Sequence, residues 1–296
     1  MKVAEAAGME PANRVLLVHA RHEPFETVPY VVHLLADEWR RRGIPVEVSD
    51  TVSRAMGPDV LVFPHFDLTV TPKQLERSLS RCARVINRAV IDISKRVISK
   101  QLVASPDDYD GKVIVKTNLN FGGWPEMRLL ATHGGEPAKR LEAASKQPWM
   151  VSGMVRCEQY PIYDNPRMVP KLVWKNPRLI VEKFLPEMEG ELYCLRQYAF
   201  FGTREINTRA VSKDPRVKSR GVVRREVLGT TPPEVRALRE ELGFDYGKFD
   251  YVMHGGEPII FDVNRTFTYD PKSKAGSAMP LIMKLADGIE PFLGGV

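Results

Sequence analysis

Asp250, Asp262 and Asn264 lie in the interior of two largely apolar runs within the stretch FDYGKFDYVMHGGEPIIFDVNRT, from Phe244 to Thr266. Two apolar runs flank a Gly-Gly pair, and this pattern predicts a β-hairpin. Asp262 and Asn264 are two residues apart, so they face the same side of a strand. A turn with an odd number of residues would place Asp250 directly opposite Asp262, where like charges repel.

Facing carboxylates need a cation or a shared proton to offset their repulsion. With the amide oxygen of Asn264, Asp250 and Asp262 form an all-oxygen ligand set that suits Mg²⁺ or Mn²⁺. Because Mg²⁺ usually also holds substrate phosphates, the hairpin predicts a nucleotide nearby. The alternative is a hairpin with one hydrated face, on which the carboxylates are only solvated.

Two lysines support the phosphate interpretation. Lys116 ends the β-rich run VIVK and precedes the loop TNLNFGG. A strand-end lysine and the N–H groups of a glycine-containing loop can bind phosphate oxygens, although a snorkelling surface lysine gives the same pattern. Lys95, in DISK, is a weaker candidate, with a helix-surface lysine as the alternative. The motifs GxxxxGK[ST] and GxGxxG are both absent.

Hydrophobic periodicity predicts the elements that carry these residues. Strands at 14–20, 44–50 and 59–67, with a helix at 30–43, indicate a small parallel α/β unit. The residues from 134 to 175 carry no pattern that places their elements. The remaining predictions are helices at 71–87 (with Thr71 as N-cap), 92–105, 232–243 and 278–296, a strand at 112–116 and antiparallel strands within 178–214.

Composition narrows the function classes. The 296-residue chain has a net charge of +6, but its basic residues are spread along the sequence and are not interleaved with aromatics. Nucleic acid is therefore not expected as a partner, and a small polyanion such as a nucleotide is the alternative. No apolar run approaches the roughly 18 to 20 residues of a membrane helix. Three scattered cysteines without a CxxC favour a reducing cytoplasm over a disulfide framework or a zinc site.

Taken in order, these segments resemble the ATP-grasp superfamily from about residue 14 to residue 270. The resemblance is carried by Lys95 in a DxxK-like helix, the VIVKT strand, VEKFL at Val181–Leu185, the segment GELYCLR, and Asp250 followed by DVN. The set is fairly specific, although no single motif is. The chain departs from the pattern at Thr117, where many members have proline, in NLNFGGWPE instead of a Gly/Ser-rich lid, and in NRTFT instead of NxxPG.

The resemblance implies a fold that combines α/β and α+β architecture. A small parallel α/β domain would occupy residues 1–85, beginning with a loose tail. A two-lobed ATP-grasp domain with antiparallel sheets would follow over 86–296, with the first lobe at 86–180 and the second at 181–296. The loop His19–Thr27 follows the first strand and is a candidate for reading the substrate, although an ordinary βα loop is favoured.

The resemblance also implies that ATP and Mg²⁺ (or Mn²⁺) are bound. Lys95 and Lys116 would contact the ATP phosphates. Asp250, Asp262 and Asn264 would hold one or two metal ions that bridge those phosphates.

Seven further residues would complete the site by the same resemblance. Glu182 would face the adenine amino group, with Lys183 and Leu185 offering backbone groups to the base. The remaining candidates are Glu189 or Glu191 for the ribose hydroxyls, and Arg196 and Arg209 for the γ-phosphate or an acyl phosphate. Ordinary strand-surface arginines are the alternative for the last two.

The implied activity is an ATP- and Mg²⁺-dependent ligase that joins a carboxylate to an amine, or to a thiol, through an acyl phosphate. Its substrates would be small molecules or peptides, and whether the chain forms a homodimer is left open. One alternative is a phosphotransferase on the same fold, with His254 or His133 as the base. Another is a nucleotide-binding protein without catalysis, against which the intact set of metal ligands argues.

Overall fold

A computed structural model describes residues 11–21, 23–52, 57–132, 139, 143, 146–218, 221–271 and 278–294. The first ten residues of the expected N-terminal tail and the candidate base His133 lie outside these ranges. Among the described residues, no helix combines the length and the apolar character that crossing a membrane requires.

The described chain forms three sheets with helices between and around them. The strands are β1 Arg14–His19, β2 Val46–Ser49, β3 Val60–His65, β4 Arg84–Val85, β5 Val113–Thr117, β6 Ile162–Tyr163, β7 Leu179–Lys183, β8 Glu187–Glu189, β9 Leu192–Phe201, β10 Arg204–Ser212, β11 Val222–Leu228, β12 Tyr246–His254 and β13 Glu257–Asn264. The α-helices are α1 Val31–Arg41, α2 Lys73–Leu79, α3 Lys95–Ile98, α4 Trp124–Thr132, α5 Trp149–Ser152, α6 Lys171–Lys175, α7 Pro233–Glu241, α8 Ala278–Ala286 and α9 Glu290–Leu293.

The first sheet has the order β2-β1-β3-β4, and all of its pairings are parallel, as the sequence predicts for this region. Helix α1 buries its apolar face against this sheet, and the helix predicted near the C-terminus, α8, packs on α1. The indole Nε1 of Trp39 donates to the carbonyl of Ala286 at 2.9 Å. The C-terminal segment therefore completes the core of the N-terminal unit.

The second sheet, β6-β5-β7, is antiparallel and small. Ile114 pairs with Glu182, and Lys116 pairs with Ile180. Cross-strand partners share a face and side chains alternate along a strand, so Lys116 and Glu182 lie on the same side of this sheet. The other side packs into an apolar cluster that includes Val113, Val115 and Val181.

The third sheet has the antiparallel order β11-β10-β9-β12-β13, with β8 paired to β9. Helix α7 covers one face, where Val235 packs with Phe244, Phe249 and Val263. The strand pattern agrees with the predicted mixture of a small parallel sheet and larger antiparallel sheets.

Two helix predictions are too long, and the helix predicted over 278–296 is divided into α8 and α9 by a 3-10 turn at Asp287–Ile289. The helix predicted over 71–87 ends at Leu79, and Arg84–Val85 instead joins the parallel sheet as β4. The helix predicted over 92–105 is limited to Lys95–Ile98, because the segment after it pairs with β7. There the N–H of Val103 donates to Val181 O at 2.9 Å, and the N–H of Lys183 donates to Gln101 O at 2.9 Å.

Thr71 is also not the N-cap of α2. Pro72 occupies that position, and no side chain caps the helix. The hydroxyl oxygen of Thr71 instead accepts a hydrogen bond from the guanidinium of Arg265 at 2.6 Å. The hydroxyl that local sequence assigns to helix capping is therefore used in a hydrogen bond to a residue far along the chain.

The hairpin places Asp250 directly opposite Asp262, as predicted, but by a different route. Its turn, Gly255-Gly256, has two residues, both with positive φ (61° and 88°), as a tight hairpin turn requires. With regular pairing, the facing carboxylates require an odd number of residues in the turn, but a β-bulge supplies the extra residue instead. Tyr251 pairs with Ile260 while Asp250 pairs with Asp262, which leaves Phe261 without a partner.

Candidate active site

A cavity of about 840 Å³ lies where the second and third sheets meet loop residues of the N-terminal unit. It gathers most of the residues that the sequence singled out. The predicted site residues among its lining are Lys95, Lys116, Glu182, Lys183, Leu185, Asp250, Asp262 and Asn264.

The hairpin contributes a polar face to this cavity. Asp250 pairs with Asp262, and Lys248 pairs with Asn264, so all four side chains share one face of the sheet. The ammonium of Lys248 lies 3.1 Å from Asp250 Oδ1, and that of Lys95 lies 3.2 Å from Asp262 Oδ1. Each carboxylate of the facing pair therefore has its own lysine, which offsets the repulsion between them.

Three lysines surround Asp262. Burial alone would raise the pKa of this carboxyl, but the charges of Lys95, Lys218 and Lys116 bring it below its ordinary value. Burial likewise opposes the charge of Lys95, yet the nearby Asp262 raises the pKa of Lys95 above its ordinary value. For Lys218 as well, burial is outweighed by Cys157, Asp250 and Asp262, which raise its pKa. Asp262, Lys95 and Lys218 are therefore charged near neutral pH.

Glu182 and Lys116 form a buried pair on the wall opposite the hairpin. The ammonium of Lys116 lies 2.5 Å from Glu182 Oε2 and 4.5 Å from the ring centre of the bulged Phe261. The second carboxylate oxygen, Glu182 Oε1, is buried and has no hydrogen-bond partner among the described residues. A buried acceptor without a donor costs free energy, so this oxygen is suited to an N–H group of a ligand, such as an adenine amino group.

The metal ligands predicted by the sequence are two carboxylates and one amide oxygen. Within the described ranges, no three His, Cys, Asp or Glu side chains come together as a metal cluster. Two carboxylates and an amide fit a hard cation that completes its coordination with water and substrate phosphates, as Mg²⁺ does. The donor set is thus compatible with Mg²⁺ bound together with a nucleotide.

Arg196 and Arg209 are not brought to the cavity. Arg196 pairs with Tyr251 on one side and with Arg209 on the other, so these three side chains share a face. Tyr251 is adjacent to Asp250 on β12, and adjacent side chains face opposite sides of a sheet. Both arginines therefore point away from the face that carries Asp250. There Arg196 Nη2 lies 2.8 Å from Glu187 Oε1, and Arg209 Nη2 lies 2.6 Å from Glu189 Oε2. Both guanidinium groups are already occupied by carboxylates.

Glu189 and Glu191 also lie outside the cavity lining. They flank Gly190 at the turn between β8 and β9, where Glu191 is exposed. Besides Arg209, Glu189 accepts a hydrogen bond from Arg224 at 2.6 Å. The ribose contact expected for one of them stays a prediction.

Lys183 and Leu185 reach the cavity next to Glu182. The ammonium of Lys183 lies 5.2 Å from the ring centre of Tyr109. The N–H of Lys183 is used by Gln101 O. Leu185 follows β7 and lies on the short connection to β8.

Sequence reasoning missed Lys248 and Lys218. Lys248 could have been found from the period-two argument that linked Asp262 to Asn264, because it precedes Asp250 by two residues. Lys218 follows β10 in a basic loop, and its only signal is that charge cluster.

The N-terminal unit supplies a further wall that the sequence indicated only through the loop His19–Thr27. Asp67, just after β3, lines the cavity. The hydroxyl of Tyr30 donates to Asp67 Oδ2 at 2.5 Å, and the hydroxyl of Thr266 donates to Asp67 Oδ1. The N–H of Asp67 donates to Glu23 Oε1 at 2.6 Å. These bonds join the first sheet to the end of the hairpin.

Glu23 makes folding stability depend on pH. Burial, followed by the charge of Asp67, raises the pKa of Glu23 from 4.5 to about 8. The folded chain therefore holds a proton that the unfolded chain loses, so this contribution to stability is fully present below pH 4.5 and is lost as the pH rises through about 8. As the pH rises from 5 to 9, we expect the free energy of unfolding of Glu23→Gln to increase relative to that of wild type by on the order of 2–4 kcal/mol.

Urea unfolding at the two pH values measures this gain. Glu26→Gln, an exposed change in the same loop, is the matched control and should show no such pH dependence. An equal effect of Glu23→Gln at pH 5 and pH 9 would contradict the expectation.

Comparison with known proteins shows the fold. No protein-family model and no curated protein matches the chain. The solved structure of the ATP-grasp ligase PsnB with a minimal precursor, Mg and ADP aligns with a TM-score of 0.51 at 11% identity, over 93% of this chain and 96% of that chain. PsnB with precursor peptide PsnA2 and AMPPNP gives 0.51 at 10% identity, over 96% and 99%. D-alanine–D-alanine ligase from Bacillus anthracis gives 0.46 at 15% identity, over 95% and 97%.

Proposed function

We propose that this chain, which has the ATP-grasp fold over nearly its whole length, is an ATP- and Mg²⁺-dependent ligase. The observation that supports this most strongly is the polar face of the hairpin, where Asp250 opposes Asp262 and Lys248 opposes Asn264 at the cavity wall. Two carboxylates and an amide surrounded by lysines suit a metal–polyphosphate complex.

ATP would lie along the cavity between the two walls. The unpartnered Oε1 of Glu182 would accept the adenine amino group, and the backbone of Lys183 and Leu185 would border the base. Lys95 and Lys116 would contact the phosphates. Asp250, Asp262 and Asn264 would hold Mg²⁺, which supplies charge neutralisation to the phosphates when bound.

The reaction would couple a carboxylate to an amine or a thiol. A carboxylate oxygen attacks the γ-phosphorus and ADP leaves; the nucleophile then attacks the acyl carbon and phosphate leaves. Lys248, rather than Arg196 or Arg209, would place positive charge beside the reacting groups, because it lines the cavity and the two arginines do not. Small molecules and peptides are the proposed carboxylate and amine substrates, and the PsnB complexes contain precursor peptides.

The position of His254 gives no support to the phosphotransferase alternative. Transfer to a hydroxyl benefits from a nearby base, yet no histidine lines the cavity in the part of the chain that the structure describes. His254 is at the hairpin turn, where its Nδ1 lies 3.2 Å from Pro186 O. It is four residues from Asp250, roughly 13 Å along a strand.

Calorimetry with ATP, in Mg²⁺ and in excess chelator, tests the nucleotide site. We expect ATP to bind with Mg²⁺ and at least about tenfold more weakly without it, since the metal bridges protein carboxylates to phosphates. A panel of carboxylates with hydroxylamine as the nucleophile then tests acyl activation by hydroxamate formation. ATP binding that is indifferent to Mg²⁺ would overturn the proposal.

A further inference from the structure

The end of the cavity formed by the N-terminal unit is separate from the groups assigned to the nucleotide. Asp67 follows β3, at the carboxyl edge of the parallel sheet, where open α/β sheets tend to bind ligands. Its hydrogen bond from Thr266 ties it to the chain just two residues beyond Asn264. A ligand group bound to Asp67 would therefore lie beside the proposed phosphate site, where a second substrate must approach.

Hydroxyl groups fix the orientation of the Asp67 carboxylate. Tyr30 donates to one oxygen and Thr266 to the other. A carboxylate can accept about four hydrogen bonds, so these two donors leave acceptor capacity on a side chain that lines the cavity. Neutral hydroxyls orient the group but supply no positive charge.

No Lys, Arg or His of the described ranges forms an ion pair with Asp67. The nearby guanidinium of Arg265 is occupied by neutral acceptors, with Nη2 donating to Leu68 O at 2.5 Å and Nη1 to Val90 O at 2.9 Å. Arg128 also lines the cavity, but it makes no ion pair with a described carboxylate. Asp67 thus differs from Asp250 and Asp262, each of which has a lysine within 3.2 Å.

We propose that Asp67 binds the protonated amino group of the substrate that supplies the nucleophile, so that the second substrate is a primary amine that arrives as a cation. One proton of the ammonium passes to the Asp67 carboxylate, the freed lone pair attacks the acyl carbon, and a second proton leaves with the phosphate. A half-buried carboxylate that is fixed by hydroxyls and has no ion-pair partner among the described residues is complementary to an ammonium group, which brings three N–H donors and a positive charge. A neutral thiol would bring neither the N–H donors nor the positive charge. This inference rests on the proposed ligase function and narrows its nucleophile.

Matched probe pairs test the inference in the presence of Mg²⁺ and ADP. The pairs are ethanolamine with ethylene glycol, cysteamine with 2-mercaptoethanol, glycinamide with acetamide, and L-alanine with lactate. By calorimetry, we expect at least one amine to bind about tenfold or more tightly than its uncharged or anionic partner. Asp67→Asn should remove this preference while leaving the affinity for Mg²⁺ and ADP unchanged.

Two further variants separate charge from structure. Asp67→Glu keeps the negative charge and should keep a preference for the amine, whereas Asp59→Asn, which removes only the pairing with Arg14, should behave as wild type. The inference is overturned if Asp67→Asn binds the amine as wild type does, or if no amine exceeds its partner while Mg²⁺ and ADP bind. Failure of wild type to bind ADP with Mg²⁺ would instead overturn the ligase proposal itself.

Discussion

Asp262→Asn is expected to lower the affinity for ATP in the presence of Mg²⁺ by about 100-fold, and to remove most of the difference between Mg²⁺ and chelator. The change deletes one of the two carboxylates that face each other in the hairpin. An amide oxygen keeps the shape of the ligand but carries no charge, so the site loses half of its negative ligands. Calorimetry with ATP and with ATP plus Mg²⁺ measures both effects.

The same variant leaves Lys95 buried without its carboxylate. The side chain of Lys95 is 5% exposed, and its remaining acceptor is Leu119 O at 3.3 Å. Removing one partner of a buried pair costs about 3–5 kcal/mol, so binding must be measured below the unfolding transition of the variant. Glu257→Gln, an exposed change in the same hairpin, is the matched control. ATP affinity within about threefold of wild type would show that Asp262 does not hold the metal.

Arg265→Leu is expected to lower the free energy of unfolding by about 3 kcal/mol or more. Arg265 is 5% exposed. Its two terminal nitrogens donate to Thr71 Oγ1, Val90 O and Leu68 O at 2.5–2.9 Å. Leucine fills part of the volume but leaves these buried acceptors without donors. Urea denaturation of the variant and wild type measures the loss.

The planar shape of the guanidinium matters as much as its charge. Arg265→Lys retains a cation but cannot reach three acceptors in a fork, so we expect a loss intermediate between wild type and Arg265→Leu. Arg81→Leu, on the exposed surface, controls for the general effect of replacing an arginine. Equal losses for Arg265→Leu and Arg81→Leu would mean that the buried hydrogen bonds contribute nothing net.

Much of the fold could be predicted because its signals are local. The alternating and continuous apolar runs of the strands, the proline start of α7 and the apolar C-terminal helix are all visible over short windows. The two overlong helices failed because distant partners decide their ends. Val103 bonds to β7, and Arg84–Val85 bonds to β3; neither partner is visible from local periodicity.

Asp262 and Asn264 lie on β13, so alternation along one strand predicts that they share a face. Asp250 lies on β12, and its place opposite Asp262 depends on a bulge that the sequence did not indicate. Arg196 and Arg209 lie on the face opposite Asp250 because of the register between β9 and β12, and local sequence does not show the register of two strands. Asp67 was missed for a similar reason, since its partners Tyr30 and Thr266 come together only when the first sheet meets the hairpin.

The bulge at Phe261 limits how the length of this hairpin can change. A two-residue turn with regular pairing would set Asp262 opposite Phe249, and the two carboxylates would then lie on different faces of the sheet. Deleting the bulged residue would keep the carboxylates opposite each other, because regular pairing would then follow Tyr251–Ile260 directly with Asp250–Asp262. Adding two residues at the Gly-Gly tip also preserves the present arrangement, whereas a single added or deleted residue with the bulge kept does not. Related sequences that keep this site should therefore differ in the spacing between their two acidic residues by even numbers, or should gain and lose bulges together with single residues.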